Sequence, residues 1–133
     1  MLHPITISLP VADRRRAHDF YRNVLDLQTI GALQADGMPE PLQFLINSGV
    51  RLMLVPDDGF GFVVAPRVPE LGDQAETLLC IDQPTSADVL ALREKWIAAD
   101  GQIVSEPAQK AWGFTGIFGD PDGHLWMIRA AGE

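Results

Sequence analysis

Ile5-Thr6-Ile7-Ser8-Leu9-Pro10-Val11 alternates apolar and polar positions, the period of a half-buried strand. Ile5, Ile7, Leu9 and Val11 share one face, Thr6 and Ser8 the other, and Pro10 near the end suggests an edge or a bulge. The pattern then changes period. Ala17, Phe20, Tyr21, Val24 and Leu25 recur at three- and four-residue spacing, which predicts an amphipathic helix over Arg14 to Leu27 with Asp13 as its cap. A second strand is expected from Gln28 to Leu33, followed by a loop from Ala35 to Pro41. Leu42 to Ile46 and Val50 to Val55 read as strands joined by the hairpin signal Asn47-Ser48-Gly49.

The same order returns in the second half. Thr77 to Ile81 reads as a strand, and Thr85 or Ser86 as the cap of a helix whose apolar stripe is Val89, Leu92, Trp96 and Ala99. Asp100-Gly101 ends that helix, with the glycine in the left-handed position past its C-terminus. Gln102 to Glu106 is a strand and Pro107 to Gly113 a loop. Phe114 to Phe118 and His124 to Ala130 form a closing hairpin around Asp120-Pro121-Asp122-Gly123, where proline presets φ and glycine accepts positive φ. Gly49 matches Gly123 and Phe44 matches Phe118, both at an offset of 74 residues. The expected architecture is α+β: two βαβββ modules in tandem, forming a curved mixed sheet around a central cavity with the helices outside. The chain is read as a single domain over residues 1–133, with a first module of about 1–56, a connector of about 57–75 and a second module of about 76–133. The stretch from Asp57 to Gly72 carries Gly59, Gly61, Pro66 and Pro69 and is expected to be irregular; its Phe60, Phe62, Val63 and Val64 leave a lid, an extra edge strand or a crossover open.

Composition narrows the function classes. A net charge of −8 and a pI of about 4.7 carry no basic face for nucleic acid, and favour a cationic ligand at long range. Arg14-Arg15-Arg16 is the one basic cluster, at the helix end where the dipole is unfavourable; it reads as a solvated face, with an anion or partner contact as the alternative. The single cysteine, Cys80, cannot form an internal disulfide, and it reads as a small buried hydrophobe rather than a nucleophile. No signal peptide and no membrane span is expected, so the reading is a soluble, cytoplasmic protein.

Three stretches together carry a family resemblance: Ile7-Ser8-Leu9-Pro10-Val11-Ala12-Asp13, Phe20-Tyr21-Arg22-Asn23-Val24-Leu25-Asp26-Leu27, and Asp120-Pro121-Asp122-Gly123-His124-Leu125-Trp126. In order and spacing the chain resembles the glyoxalase, bleomycin-resistance and extradiol-dioxygenase group, the vicinal oxygen chelate superfamily. The resemblance covers nearly the whole chain and implies the fold, but one scaffold of this kind hosts many chemistries. Metal-dependent members hold a divalent ion with histidine or glutamate from the first and last strands of each module. Carried over by position, those ligands fall on Thr6, Met53, Met127 and, uncertain by one residue, Glu76 on the fifth strand. Only Glu76 is a good donor for nickel, zinc or iron. His3, His18 and His124 read as unrelated surface or rim residues. No catalytic metal and no cofactor is therefore expected, with a divalent metal in a non-standard site as the alternative.

Alternation then assigns a ligand-binding cavity to Thr6, Ser8, Arg51, Met53, Leu78, Leu125, Met127 and Arg129, with Trp112 and Phe114 at its rim. Apolar walls with a few convergent polar groups suit a small molecule, methionine adapts to varied shapes, and the two arginines suit an anionic group. The leading expectation is a metal-free protein binding a small, largely apolar or aromatic molecule. Two enzyme readings, of lyase or dioxygenase type, stand beside it: a metal-free one with Glu76 as catalytic base and an arginine stabilising an anion, and one with a metal anchored on Glu76. The expected partner is a small molecule, with neither nucleic acid nor membrane, and the expected assembly is a homodimer, since members of this fold often dimerise.

Overall fold

The computed structural model describes residues 1–72 and 75–132. The chain divides into two compact units, Met1–Leu71 and Gly72–Glu133. The first contains β1 (Ile5–Val11), α1 (Arg14–Val24), β2 (Gln28–Thr29), β3 (Leu42–Asn47), β4 (Val50–Pro56) and α2 (Asp57–Val64). The second contains β5 (Leu78–Gln83), α3 (Ser86–Ala98), β6 (Gln102–Lys110), β7 (Gly113–Gly119) and β8 (Leu125–Ala130). Each unit builds one four-stranded mixed sheet, ordered β1-β4-β3-β2 in the first and β5-β8-β7-β6 in the second. In both, the outer pair β1–β4 or β5–β8 is parallel and the remaining pairs are antiparallel. The fold is α+β with tandem modules, as the repeated element order indicates.

In the first unit, α1 begins where the Asp13 carboxylate accepts the Arg16 backbone N–H at 3.1 Å. Ala17, Phe20, Tyr21 and Val24 are its buried stripe, and Phe44, Leu52 and Leu54 are the buried residues of the facing sheet. Tyr21 and Phe44 rings lie 6.1 Å apart, and His18 stacks on Phe44 at 6.0 Å. The arginines at the start of α1 are neither a bare solvated face nor a free anion site. Arg14 pairs with Asp36 at 3.0 Å and Glu40 at 3.3 Å and donates to the Pro39 carbonyl, and Arg15 donates to the Asp36 carbonyl. They clamp the loop before β3 onto the helix, with Met38 buried beneath. The backbone N–H of Met38 and the Arg14 guanidinium hold the Asp36 carboxyl below its ordinary pKa.

In the second unit, Thr85 is the cap of α3, its hydroxyl accepting from the Asp88 N–H at 3.2 Å. Val89, Leu92 and Trp96 are its buried residues, and Phe118, Trp126 and Ile128 are buried residues of the facing sheet. The Trp96 ring lies 5.4 Å from Phe118 and 6.4 Å from Trp126, and its indole N–H donates to the Gly119 carbonyl at 2.7 Å. The offset of 74 residues holds in three dimensions. Phe44 pairs with Leu52 and Phe118 with Trp126, each on the helix-covered face of its sheet.

Several boundaries differ from the sequence reading. The stretch after β4 is helical, not irregular: α2 forms despite Gly59 and Gly61, with Asp57 and Asp58 in its first turn where the dipole favours acids. It lies against β1 and β4 and buries none of its residues. The second strand is only Gln28–Thr29, with an isolated bridge Leu33–Pro39 beyond it. β6 runs on through Pro107 to Lys110, because register shifts between Ile103 and Ser105 and between Ser105 and Ala108 absorb the proline. At the end of α3 the left-handed residue is Asp100, at φ 69°, rather than Gly101. Gly101 is needed for space instead, since a Cβ there would meet Trp96 Cδ1 at 2.2 Å.

Candidate functional site

Each sheet has one face covered by its long helix and one far face. Strand alternation decides which residues lie on the far face, and the pairing registers confirm the grouping. In the first unit, Thr6 pairs with Arg51 and Arg51 with Leu45; the next row is Ser8, Met53 and Gln43. Thr6, Arg51 and Leu45 are exposed, and Ser8, Met53 and Gln43 are half-buried. In the second unit, the matching rows are Leu78–Leu125–Gly119, Cys80–Met127–Ile117 and Asp82–Arg129–Thr115. Leu125, Met127 and Ile117 are half-buried, and Leu78 is 46% exposed.

The register thus gathers Thr6, Ser8, Arg51 and Met53 on one far face and Leu78, Leu125, Met127 and Arg129 on the other. Three placements depart from the sequence reading. Glu76 is not on the fifth strand: β5 begins at Leu78, and Glu76 is an exposed residue ahead of it. By register the β5 counterpart of Thr6 is Leu78, because Thr6 pairs with Arg51 and Leu78 with Leu125, the residue 74 positions after Arg51. Phe114 alternates with Thr115 and therefore lies on the side of β7 shared by Phe118, opposite to Met127. Cys80 is exposed, not a buried hydrophobe, since it shares the far face with Leu78 and Asp82.

Two polar features organise the far face of the second unit. Arg129 Nε donates to Asp82 Oδ1 at 3.0 Å and its Nη2 to Asp82 Oδ2 at 2.9 Å, a bidentate pair straight across the β5–β8 ladder. The Asp82 hydrogen bonds and charge raise the Arg129 pKa above its ordinary value. Asp82 was not among the expected site residues; its position two strand steps after Leu78 was the available signal. Trp112, 64% exposed in the β6–β7 turn, donates its indole N–H to the hydroxyl of buried Thr115 at 3.0 Å. That bond fixes an exposed aromatic ring beside the Arg129 row.

Next to this face, the β7–β8 turn is rigidly built. The buried Asp120 carboxylate accepts the N–H groups of Asp122 at 2.9 Å and His124 at 2.8 Å. Gly123 adopts φ 89°, and a Cβ there would meet the Gly72 carbonyl oxygen at 2.1 Å.

The resemblance carries the ligand positions of a divalent ion to Thr6, Met53 and Met127, and the register match of Thr6 on β5 is Leu78. A hydroxyl, two thioethers and an aliphatic chain do not fit a nickel, zinc, iron or manganese centre. Among the described residues no three histidine, cysteine, aspartate or glutamate side chains converge as a metal site. Nor is any helix among them long and apolar enough to cross a membrane.

Comparison with known proteins agrees with this architecture. The model of the Glyoxalase/Bleomycin resistance protein/Dioxygenase superfamily matches residues 2–128. Among solved structures, a glyoxalase-related enzyme from Fulvimarina pelagi is similar at a TM-score of 0.78 and 22% identity, covering 96% of this chain and 87% of that one. A glyoxalase/bleomycin resistance protein/dioxygenase family enzyme from Burkholderia phytofirmans PsJN is similar at 0.76 and 17% identity, covering 92% and 94%. TnmS3, an antibiotic binding protein from Streptomyces sp. CB03234, is similar at 0.65 and 25% identity, covering 97% and 95%. No curated protein matches the chain.

Proposed function

This chain belongs to the Glyoxalase/Bleomycin resistance protein/Dioxygenase superfamily, and on that footing we propose that it binds a small, largely apolar or aromatic molecule on the far faces of its sheets without a catalytic metal. The observation that carries this reading is the far face of the second unit. Leu78, Leu125, Met127 and Ile117 form an apolar strip that the unit's own helix leaves uncovered, while Phe118, Trp126 and Ile128 on the opposite face are buried. Such a strip, edged by the Asp82–Arg129 pair and the held indole of Trp112, has the composition of a small-molecule site. Met127 adds a polarisable, adaptable surface suited to aromatic rings. The similarity to an antibiotic binding protein agrees with binding as the activity.

The donor set argues the same way on chemistry. Where the resemblance places metal ligands, this chain presents thioethers and a hydroxyl, with Leu78 at the register match on β5. Glu76 is exposed and lies ahead of β5, outside the paired rows of the far face. Two measurements test the reading together. Protein purified without a metal-affinity tag and treated with chelator should show saturable thermal-shift responses to aromatic compounds in a small-molecule panel. Stoichiometric nickel, zinc, iron or manganese in the untreated protein, or a panel response that disappears with the chelator, overturns it.

A further inference from the structure

Arg51, like Arg22 and Arg67, is not among the ion-paired arginines of the described residues, but it alone of the three lies within a sheet. Arg14 is matched by Asp36 and Glu40, Arg15 by Asp19, Arg93 by Glu94 and Glu106, and Arg129 by Asp82. Arg51 makes no ion pair among the described residues, although the chain holds 18 acidic residues against 10 basic ones. Its place is not a loop or a helix rim. It lies on β4, between β1 and β3, with Thr6 on one side and Leu45 on the other. The row beside it is Ser8, Met53 and Gln43, so no carboxylate shares these two rows of the far face. The acidic surplus also lies elsewhere: ten of the 18 acidic residues but four of the 10 basic ones fall in residues 72–133.

A guanidinium is a planar fork of donors that fits a carboxylate in two parallel hydrogen bonds. Thr6 supplies a hydroxyl in the same row, while Leu45 and Met53 supply apolar contact for the body of a ligand. The two far faces thus differ: Asp82 neutralises the arginine of the second, and nothing described neutralises that of the first. We propose that the far face of the first unit is a carboxylate subsite, in which Arg51 and Thr6 hold the acid group of an aromatic carboxylate. This rests on the reading that the far faces bind a small molecule, and it names the polar group of that molecule. It also runs against the overall charge, which at long range draws cations.

Calorimetric titration of 2-naphthoate and of its neutral counterpart 2-naphthamide separates the possibilities. The wild-type protein should bind the carboxylate about tenfold more tightly than the amide, the scale of a hydrogen-bonded charged group. Arg51→Gln should abolish that preference by weakening the carboxylate alone, and Arg51→Lys, which keeps charge but loses the fork, should fall between. Arg51 is exposed, and circular dichroism verifies that both variants are folded. Equal affinity of the two probes for the wild type, or a preference that survives Arg51→Gln, overturns the subsite and leaves small-molecule binding standing. Binding of neither probe overturns both.

Discussion

Asp82 and Arg129 face each other across the parallel β5–β8 pair, and both nitrogen–oxygen contacts of the bidentate bridge are 3.0 Å or shorter. The arginine that the sequence offers as an anion holder on the last strand is therefore already engaged by the chain itself. Asp82→Asn should release it. The expected outcome is a severalfold gain in 2-naphthoate affinity with no change for 2-naphthamide, read by calorimetry. The pair is half exposed and screened by solvent, so its loss should leave stability nearly unchanged.

Trp112 gives an optical readout of occupancy. Trp96 and Trp126 are 0% and 2% exposed, whereas Trp112 is 64% exposed and held by Thr115. A ligand stacking on the Trp112 ring should quench and blue-shift the exposed component of the emission and leave the buried component unchanged. Trp112→Phe should remove the spectral response, and Thr115→Val should weaken binding by freeing the ring.

The core beneath α3 depends on one buried polar contact. Trp96→Phe retains most of the packing on Phe118 and Trp126 but leaves the Gly119 carbonyl without its indole donor. Denaturant unfolding should show a loss of about 1–3 kcal/mol, the cost of an unmatched buried acceptor. Phe118→Ala, which opens a cavity in the same cluster, should cost about 3–5 kcal/mol. Gly101→Ala should also destabilise, because its Cβ has no room beside Trp96.

Stability should fall on the acid side for an identifiable reason. Asp36 is held below its ordinary pKa of 3.8 by the Met38 N–H and Arg14, and Glu106 below its ordinary 4.5 by the Arg93 guanidinium. A carboxyl whose pKa is lower in the folded state binds fewer protons there than when unfolded. Its contribution is complete above the unfolded value and disappears as pH falls through the folded one. Unfolding curves should therefore lose stability below about pH 4.5. The double variant Asp36→Asn, Glu106→Gln should show a shallower acid limb.

Much of the architecture was legible in the chain because the relevant signals are local. β1 spans the alternating run Ile5–Val11, Thr85 and Asp13 are the caps, and the Phe44/Phe118 correspondence locates two equivalent core positions. What escaped depends on register or tertiary support. α2 carries two glycines, a helix cost of about 1 kcal/mol each, and forms against β1 and β4 rather than by propensity. β6 continues past Pro107 because bulges accommodate it. Glu76 lies two residues ahead of β5, and the register match of Thr6 with Leu78 follows only from the parallel pairings. Asp82 and Arg129 are 47 positions apart, so their pairing is written in the sheet order and not in any motif.

The central claim is that the far face of the second unit receives an apolar ligand in the absence of metal. Its most direct test is a titration of 2-naphthamide into isotopically labelled, chelator-treated protein, followed by nuclear magnetic resonance. Saturable shifts are expected at Leu78, Cys80, Ile117, Leu125 and Met127, with the buried α3 residues Val89 and Leu92 unmoved. Shifts confined to the exposed Phe62 and Val63 of α2, or no saturable shifts at all, would contradict it.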